Sequence, residues 1–164
     1  MTSRRVNEDQ LTGVATTLRK LTDTYAGFPD KPVISLLGLA FKGRPGTDDL
    51  RGTTAKAVFE GLKKEYPNAE FRGFDALAGA DHIAEFGVKP VLTLEEAFSG
   101  ASLALILNNH VIFETMPVSK LAGLMIGPSL IYDLWHNFYA QELRLPANVG
   151  YVALGSHGRG TYPQ

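Results

Sequence analysis

The chain has 164 residues, the size of one domain, and a formal charge of −1 from 16 basic and 17 acidic side chains, which leaves no electrostatic footprint for a nucleic-acid backbone or an anionic membrane. It has no cysteine, so disulfides, zinc–thiolate centres and a cysteine nucleophile are excluded from this chain. No apolar run approaches the roughly 20 residues that cross a bilayer, and the polar, basic start from Met1 to Asn7 lacks the apolar stretch of a secretory signal; a cytoplasmic location is expected, with no membrane and no nucleic acid as partner.

Leu11, Val14, Leu18, Leu21 and Tyr25 follow one another at intervals of three and four, which predicts a helix with one apolar stripe. Gly27 and Pro29 end it. A helix entering this early suggests a domain boundary, with residues 1–28 as the end of a linking helix and 29–164 as an α/β domain. Val33 to Leu37 is a nearly continuous apolar run ending at Gly38, as expected of a strand buried on both faces of a parallel sheet. Ala55, Val58, Phe59, Leu62 and Tyr66 return to helical spacing, stopped by Pro67. Further strands are expected at Glu70 to Phe74, at Val91 and Leu92 as a short edge, at Ser102 to Leu107, at Ser129 to Tyr132 and at Val149 to Leu154. Short helical segments are expected at Leu94 to Phe98 and Pro117 to Leu124, while the stretch after Asp75 has no sharp signal. Strands alternating with helices predict a doubly wound, Rossmann-like, mostly parallel sheet of about six strands preceded by an N-terminal helix. Ligands of such sheets bind beyond the carboxyl ends of the strands, where strand order reverses. That rule directs attention to Leu39 to Arg51, Asp75, Asn108 to His110, and Asp133 to Asn137.

The loop after the first strand reads Gly38-Leu39-Ala40-Phe41-Lys42-Gly43-Arg44-Pro45-Gly46-Thr47-Asp48-Asp49-Leu50-Arg51. It is not a phosphate loop, because Arg44-Pro45 stands where Lys-Ser/Thr would meet phosphate and magnesium. No Gly-x-Gly-x-x-Gly dinucleotide fingerprint follows the strand either. Lys42, Arg44 and Arg51 nevertheless gather at the mouth of a parallel sheet ahead of a helix start, an arrangement suited to a phosphate or pyrophosphate. The competing reading is a solvated loop in which Asp48 or Asp49 caps the helix and pairs with Arg51. Both readings stay open on chemistry alone.

The string Gly38 to Ala55 resembles the signature that opens the C-terminal domain of the UDP-glucose/GDP-mannose dehydrogenase family. The Gly43-Arg44-Pro45 insertion is similar to that of the UDP-N-acetylmannosamine dehydrogenase branch. The likeness extends through Asp75, Glu95-Glu96-Ala97 and Ile131-Tyr132-Asp133, and upstream Arg4-Arg5-Val6-Asn7 is similar to the Arg-x-x-Asn stretch of the helix joining the family's domains. The resemblance implies that Phe41 and Lys42 contact a UDP-sugar, with the lysine on the diphosphate. It also implies that Arg51 approaches the NAD side of the active site and that Arg4 and Asn7 reach toward a partner subunit's sugar site. Relatives often carry Asp-Gly-Arg-Asn after the late strand, where this chain has Asp133-Leu134-Trp135-His136-Asn137; His136 is the candidate substitute, a cation only where its surroundings make it one.

The family reaction is implied to be two hydride transfers from the sugar C6 alcohol to NAD through a cysteine thioester, giving a uronic acid. Neither the fingerprint nor the thiol lies in this chain, so NAD is expected to be bound mainly by another domain, with the NAD-binding and central domains of the same enzyme as partners in a homo-oligomer. A nucleotide-binding, regulatory or dimerisation module without turnover is the alternative. His82, His110 and His157 lack metal-ligand spacing. His110 follows a strand at the cleft, but an ordinary hydrogen-bonded loop histidine is the better reading. Phe113, Trp135 and Phe138 read as core or subunit-contact residues rather than a base-stacking platform.

Overall fold

The computed structural model of the chain describes residues 8–39, 54–108, 110–135, 138, 143–153 and 163. Helix α1 (Glu8–Asp23) precedes strand β1 (Val33–Leu37), and α2 (Thr54–Glu65), β2 (Glu70–Phe74), α3 (Ala80–Phe86) and β3 (Lys89–Pro90) follow. The second half comprises α4 (Leu94–Phe98), β4 (Leu103–Ile106), a 3-10 turn (Val111–Phe113), α5 (Val118–Ala122), β5 (Ser129–Asp133) and β6 (Val149–Ala153).

The six strands form one sheet in the order β3-β2-β1-β4-β5-β6. Every pairing is parallel, with Ile34 opposite Phe71 on one side and Leu103 on the other. The chain builds outward from β1 to β3, then returns to the far side of β1 to lay down β4. Strand order therefore reverses between β1 and β4, which makes the crevice at their carboxyl ends the switch point of the fold.

The strand residues alternate between two buried layers, because successive side chains of a strand point to opposite faces. Ile34, Leu36, Leu103, Leu105, Leu130, Tyr132 and Val152 face one way and pack under α1, α2 and α3 with Val14, Leu18, Val58, Leu62 and Ile83. Leu37, Ala104, Ile106, Ile131, Tyr151 and Ala153 face the other way and pack with Ala97 and Phe98 of α4 and Leu121 of α5. A fully buried leucine such as Leu36 contributes about 1.5–3 kcal/mol relative to exposure, so both faces have to be covered. This explains why the strands read as continuous apolar runs rather than as an alternation. Val14, Leu18 and Leu21 of the expected α1 stripe pack into this first layer, and Gly61 of α2 permits close approach of α1: a Cβ there would come within 3.1 Å of the Ala15 Cβ.

The edge differs from the sequence expectation. Strand β3 is Lys89–Pro90 rather than Val91 and Leu92. Val91 still donates its N–H to the Gly73 carbonyl at 3.0 Å, but the Leu92 N–H turns to the Glu96 Oε1 at 3.1 Å. Thr93 caps α4 by accepting from the Glu96 N–H. A helix cap thus claims the backbone that the apolar pair would have committed to the sheet, and Leu92 is left 68% exposed. The stretch without a sharp signal contains α3, closed by Gly87 at φ 118°.

Candidate functional site at the carboxyl edge of the sheet

Each of three strands ends in an acidic or amide side chain that folds back on its own turn. After β2, the Asp75 Oδ1 accepts from the N–H groups of Leu77 and Ala78 at 2.9 and 3.0 Å. After β4, the Asn108 Oδ1 accepts from the His110 N–H at 3.0 Å. At the end of β5, the Asp133 Oδ1 accepts from the Trp135 N–H at 2.9 Å. These are Asx turns, in which a short polar side chain replaces a backbone acceptor and bends the chain sharply off the sheet.

The turn after β1 is built differently. Gly38 sits at φ +86°, donates its N–H to the Phe74 carbonyl of the neighbouring strand at 2.8 Å, and has the buried Asn108 amide packed against its α-carbon. A Cβ at Gly38 would come within 2.6 Å of the Asn108 Oδ1. The first residue beyond β1 and the second beyond β4 are thereby locked together across the switch point. His110 continues from Asn108 and starts the 3-10 turn, its Nδ1 accepting from the Ile112 N–H at 3.0 Å.

Next to them, Trp135 donates its indole N–H to the Leu107 carbonyl at 2.9 Å, tying the turn after β5 to the end of β4. Asp133 is fully buried and its Oδ2 accepts from the Tyr151 hydroxyl at 2.7 Å. Tyr151 stands on β6 opposite Ile131, two residues before Asp133 on the same face. Burial, reinforced by the Asp133 carboxylate, pushes the Tyr151 phenol well above its ordinary value; it stays protonated and acts as a donor. Phe138 meets the Tyr151 ring edge-on at 6.2 Å. Phe113 is buried and Trp135 and Phe138 pack against the core, which matches the core reading of these three aromatics.

The residues singled out from sequence, Arg4, Asn7, Phe41, Lys42, Arg51 and His136, lie outside the described residues. Their flanks do not: buried Leu39 is the last described residue of the turn after β1, α2 resumes at Thr54, and Trp135 immediately precedes His136. The carboxyl-edge rule pointed to Asn108 and Asp133, but the contact of Asn108 with Gly38 and the pairing of Asp133 with Tyr151 escaped sequence reasoning. The available signal was Asp or Asn at the end of an apolar run, which marks an Asx turn.

No Gly-x-Gly-x-x-Gly fingerprint follows β1 in the sequence. At Gly38 the Asn108 side chain occupies the space beside the α-carbon. Among the described residues there is also no cluster of three His, Cys, Asp or Glu side chains fit to hold a metal, and no helix long and apolar enough to cross a membrane. A groove of about 470 Å³ opens at the opposite edge of the sheet, among Arg19, Asp23, Lys31, Glu65, Tyr66 and Asn68. Arg19 is already engaged there with the Glu65 carbonyl and with Asp23, so the groove is a seam between the ends of α1 and α2.

Residues 35–140 match the model of the UDP-glucose/GDP-mannose dehydrogenase family, UDP binding domain. A UDP-glucose 6-dehydrogenase of Bacillus subtilis is 33% identical over 124 residues, which is 74% of this chain and 27% of that protein. The chain therefore spans about a quarter of that relative's length. Among solved structures, the UDP-N-acetyl-mannosamine dehydrogenase of Staphylococcus aureus superposes with a TM-score of 0.64 at 22% identity, covering 89% of this chain and 30% of that one. The NDP-N-acetyl-D-galactosaminuronic acid dehydrogenase of Methanosarcina mazei Go1 gives 0.67 at 18% identity, covering 90% and 30%. These two likenesses establish a shared fold. The family match runs from within β1 past the end of β5 and so takes in the turns on both sides of the switch point; the chain belongs to the UDP-glucose/GDP-mannose dehydrogenase family, as its UDP-binding domain.

Proposed function

We propose that this chain is the nucleotide-sugar-binding domain of an NAD-dependent UDP-sugar 6-dehydrogenase, of the UDP-N-acetylmannosamine dehydrogenase kind, which oxidises the sugar C6 alcohol to a uronic acid. The observation that carries the reading is the match of residues 35–140 to the family's UDP-binding domain, since that span contains the whole carboxyl edge from β1 to β5. In this reading Phe41 and Lys42 bind the UDP-sugar, the lysine ammonium compensating the diphosphate. Arg51 orders the edge shared with NAD. Arg4 and Asn7 serve a neighbouring subunit's sugar site in a homo-oligomer, and His136 takes the place of the arginine seen in relatives.

The domain contributes binding and orientation rather than covalent chemistry. With no cysteine and no Gly-x-Gly-x-x-Gly fingerprint after β1, it depends on the NAD-binding and central domains for turnover, and alone it is proposed to be inactive. Its part is to hold the substrate in register with groups supplied elsewhere.

Calorimetric titration of the chain with UDP, UDP-sugars and GDP-mannose tests the reading, with Lys42→Ala as the probe. A charge-assisted contact to a diphosphate is worth roughly 1.5–3 kcal/mol, so the variant should bind UDP about ten- to a hundredfold more weakly at an unchanged melting temperature. Absence of UDP binding by the unaltered chain would sink the proposal. Unchanged affinity in Lys42→Ala would remove that residue from the site.

A further inference from the structure

Among the described residues, His110 has one ring nitrogen committed to structure and one left over. A backbone N–H can only donate, so the Nδ1 that meets the Ile112 N–H at 3.0 Å presents a lone pair. The neutral imidazole must then carry its proton on Nε2. Ring geometry turns that N–H away from the 3-10 turn that Nδ1 caps. Among the described residues Nε2 has no hydrogen-bond partner, although the ring is half-buried.

The ring's mounting is rigid and its address is specific. The His110 backbone N–H is held by the Asn108 Oδ1, and the buried Asn108 amide is packed on the α-carbon of Gly38. A donor of fixed tautomer therefore stands beside the β1–β4 split, where a sheet of this order receives its ligand. Pre-ordered donors lose little freedom when they bind an oxygen anion, which makes such a mounting effective.

We infer that the His110 imidazole is a ligand-binding group, its Nε2–H donating to an acceptor oxygen of the bound nucleoside diphosphate. The inference rests on the UDP-binding reading above and adds to it a residue from the β4 side of the crevice.

The test separates the two nitrogens. In His110→Asn the side-chain oxygen can replace Nδ1 as the acceptor for the turn, since asparagine is a favoured cap, but nothing replaces the Nε2–H. UDP is titrated calorimetrically into the wild-type chain and the variant, with melting temperature measured alongside. The expected result is about a tenfold loss of UDP affinity at an unchanged melting temperature. Equal affinity in the two proteins would overturn the inference and leave the domain's function standing. Failure of the wild-type chain itself to bind UDP would overturn both. Should the variant also melt lower, the Nε2 resonance of ¹⁵N-histidine-labelled wild-type protein decides: movement on saturation with UDP upholds the contact, and an unmoved resonance refutes it.

Discussion

Replacing Gly38 by alanine tests the join between β1 and β4 most directly. Two costs arise at once. An L-residue held at φ +86° carries about 1–2 kcal/mol of backbone strain. The new Cβ would also lie 2.6 Å from the Asn108 Oδ1 and 2.7 Å from its Cγ, and Asn108 cannot simply swing aside because its Oδ1 holds the His110 N–H. Overpacking of this kind costs about 1–3 kcal/mol, so the total is about 2–5 kcal/mol, a large part of the stability of an ordinary domain. Asn108→Ala alone should cost about 1 kcal/mol for the lost turn hydrogen bond. In the double variant the clash disappears while the backbone strain stays, so the two costs should fall short of additivity by about 1–3 kcal/mol. Urea denaturation, read as midpoint shifts at constant slope, measures all four corners of this cycle. A Gly38→Ala cost below about 0.5 kcal/mol, or strict additivity, would refute the idea that Gly38 and Asn108 lock β1 to β4 at the switch point.

Tyr151→Phe removes the hydroxyl donated to the buried Asp133 Oδ2 at 2.7 Å; a donor lost from a buried charged acceptor should cost about 1.5–3 kcal/mol. For a domain of this size that lowers Tm by about 3–12 °C, and a melting curve superimposable on wild type would show that the pair carries little. Tyr66 tests burial by pH: its hydroxyl, 2.8 Å from the Thr22 Oγ1, has its pKa pushed by burial from the ordinary 10.0 up to about 12. Because the folded value is the higher one, its contribution is fully present below pH 10 and is lost as pH rises toward 12, when the unfolded chain ionises and the folded one does not. The loss should reach about 2–3 kcal/mol, and Tyr66→Phe should lower stability at neutral pH yet flatten this alkaline decline. An identical pH dependence in the variant would contradict the assignment.

Much of the site's location is legible in the sequence, because it follows from a strand-and-turn pattern. The loop at Gly38 to Arg51 can be placed at a carboxyl edge from the apolar run before it, and its signature points to the family. The individual roles of Phe41, Lys42, Arg51, Arg4, Asn7 and His136 come from resemblance, and these residues lie outside the described ones, so binding measurements have to decide them. His110 is legible as a hydrogen-bonded turn histidine; that its Nδ1 is the bonded nitrogen is not.

By itself the sequence determined most of the elements, though not α3 or the bounds of β3. Strands buried on both faces must be short apolar runs, amphipathic helices must repeat every three or four residues, and Gly38 and Pro67 must interrupt them, so this much is written locally. Tertiary structure alone decided what meets what. Gly38 and Asn108 are 70 residues apart and touch only because β4 returns to the free side of β1. Asp133 and Tyr151 meet only because β6 pairs with β5 in one register, and a shift of one residue would turn the tyrosine to the opposite face. Leu92 shows the reverse, an apolar residue drawn out of a strand by the cap of the next helix. Local patterns record how much surface each segment has to bury, whereas the partner that buries it is set by strand order and register, which are properties of the whole chain.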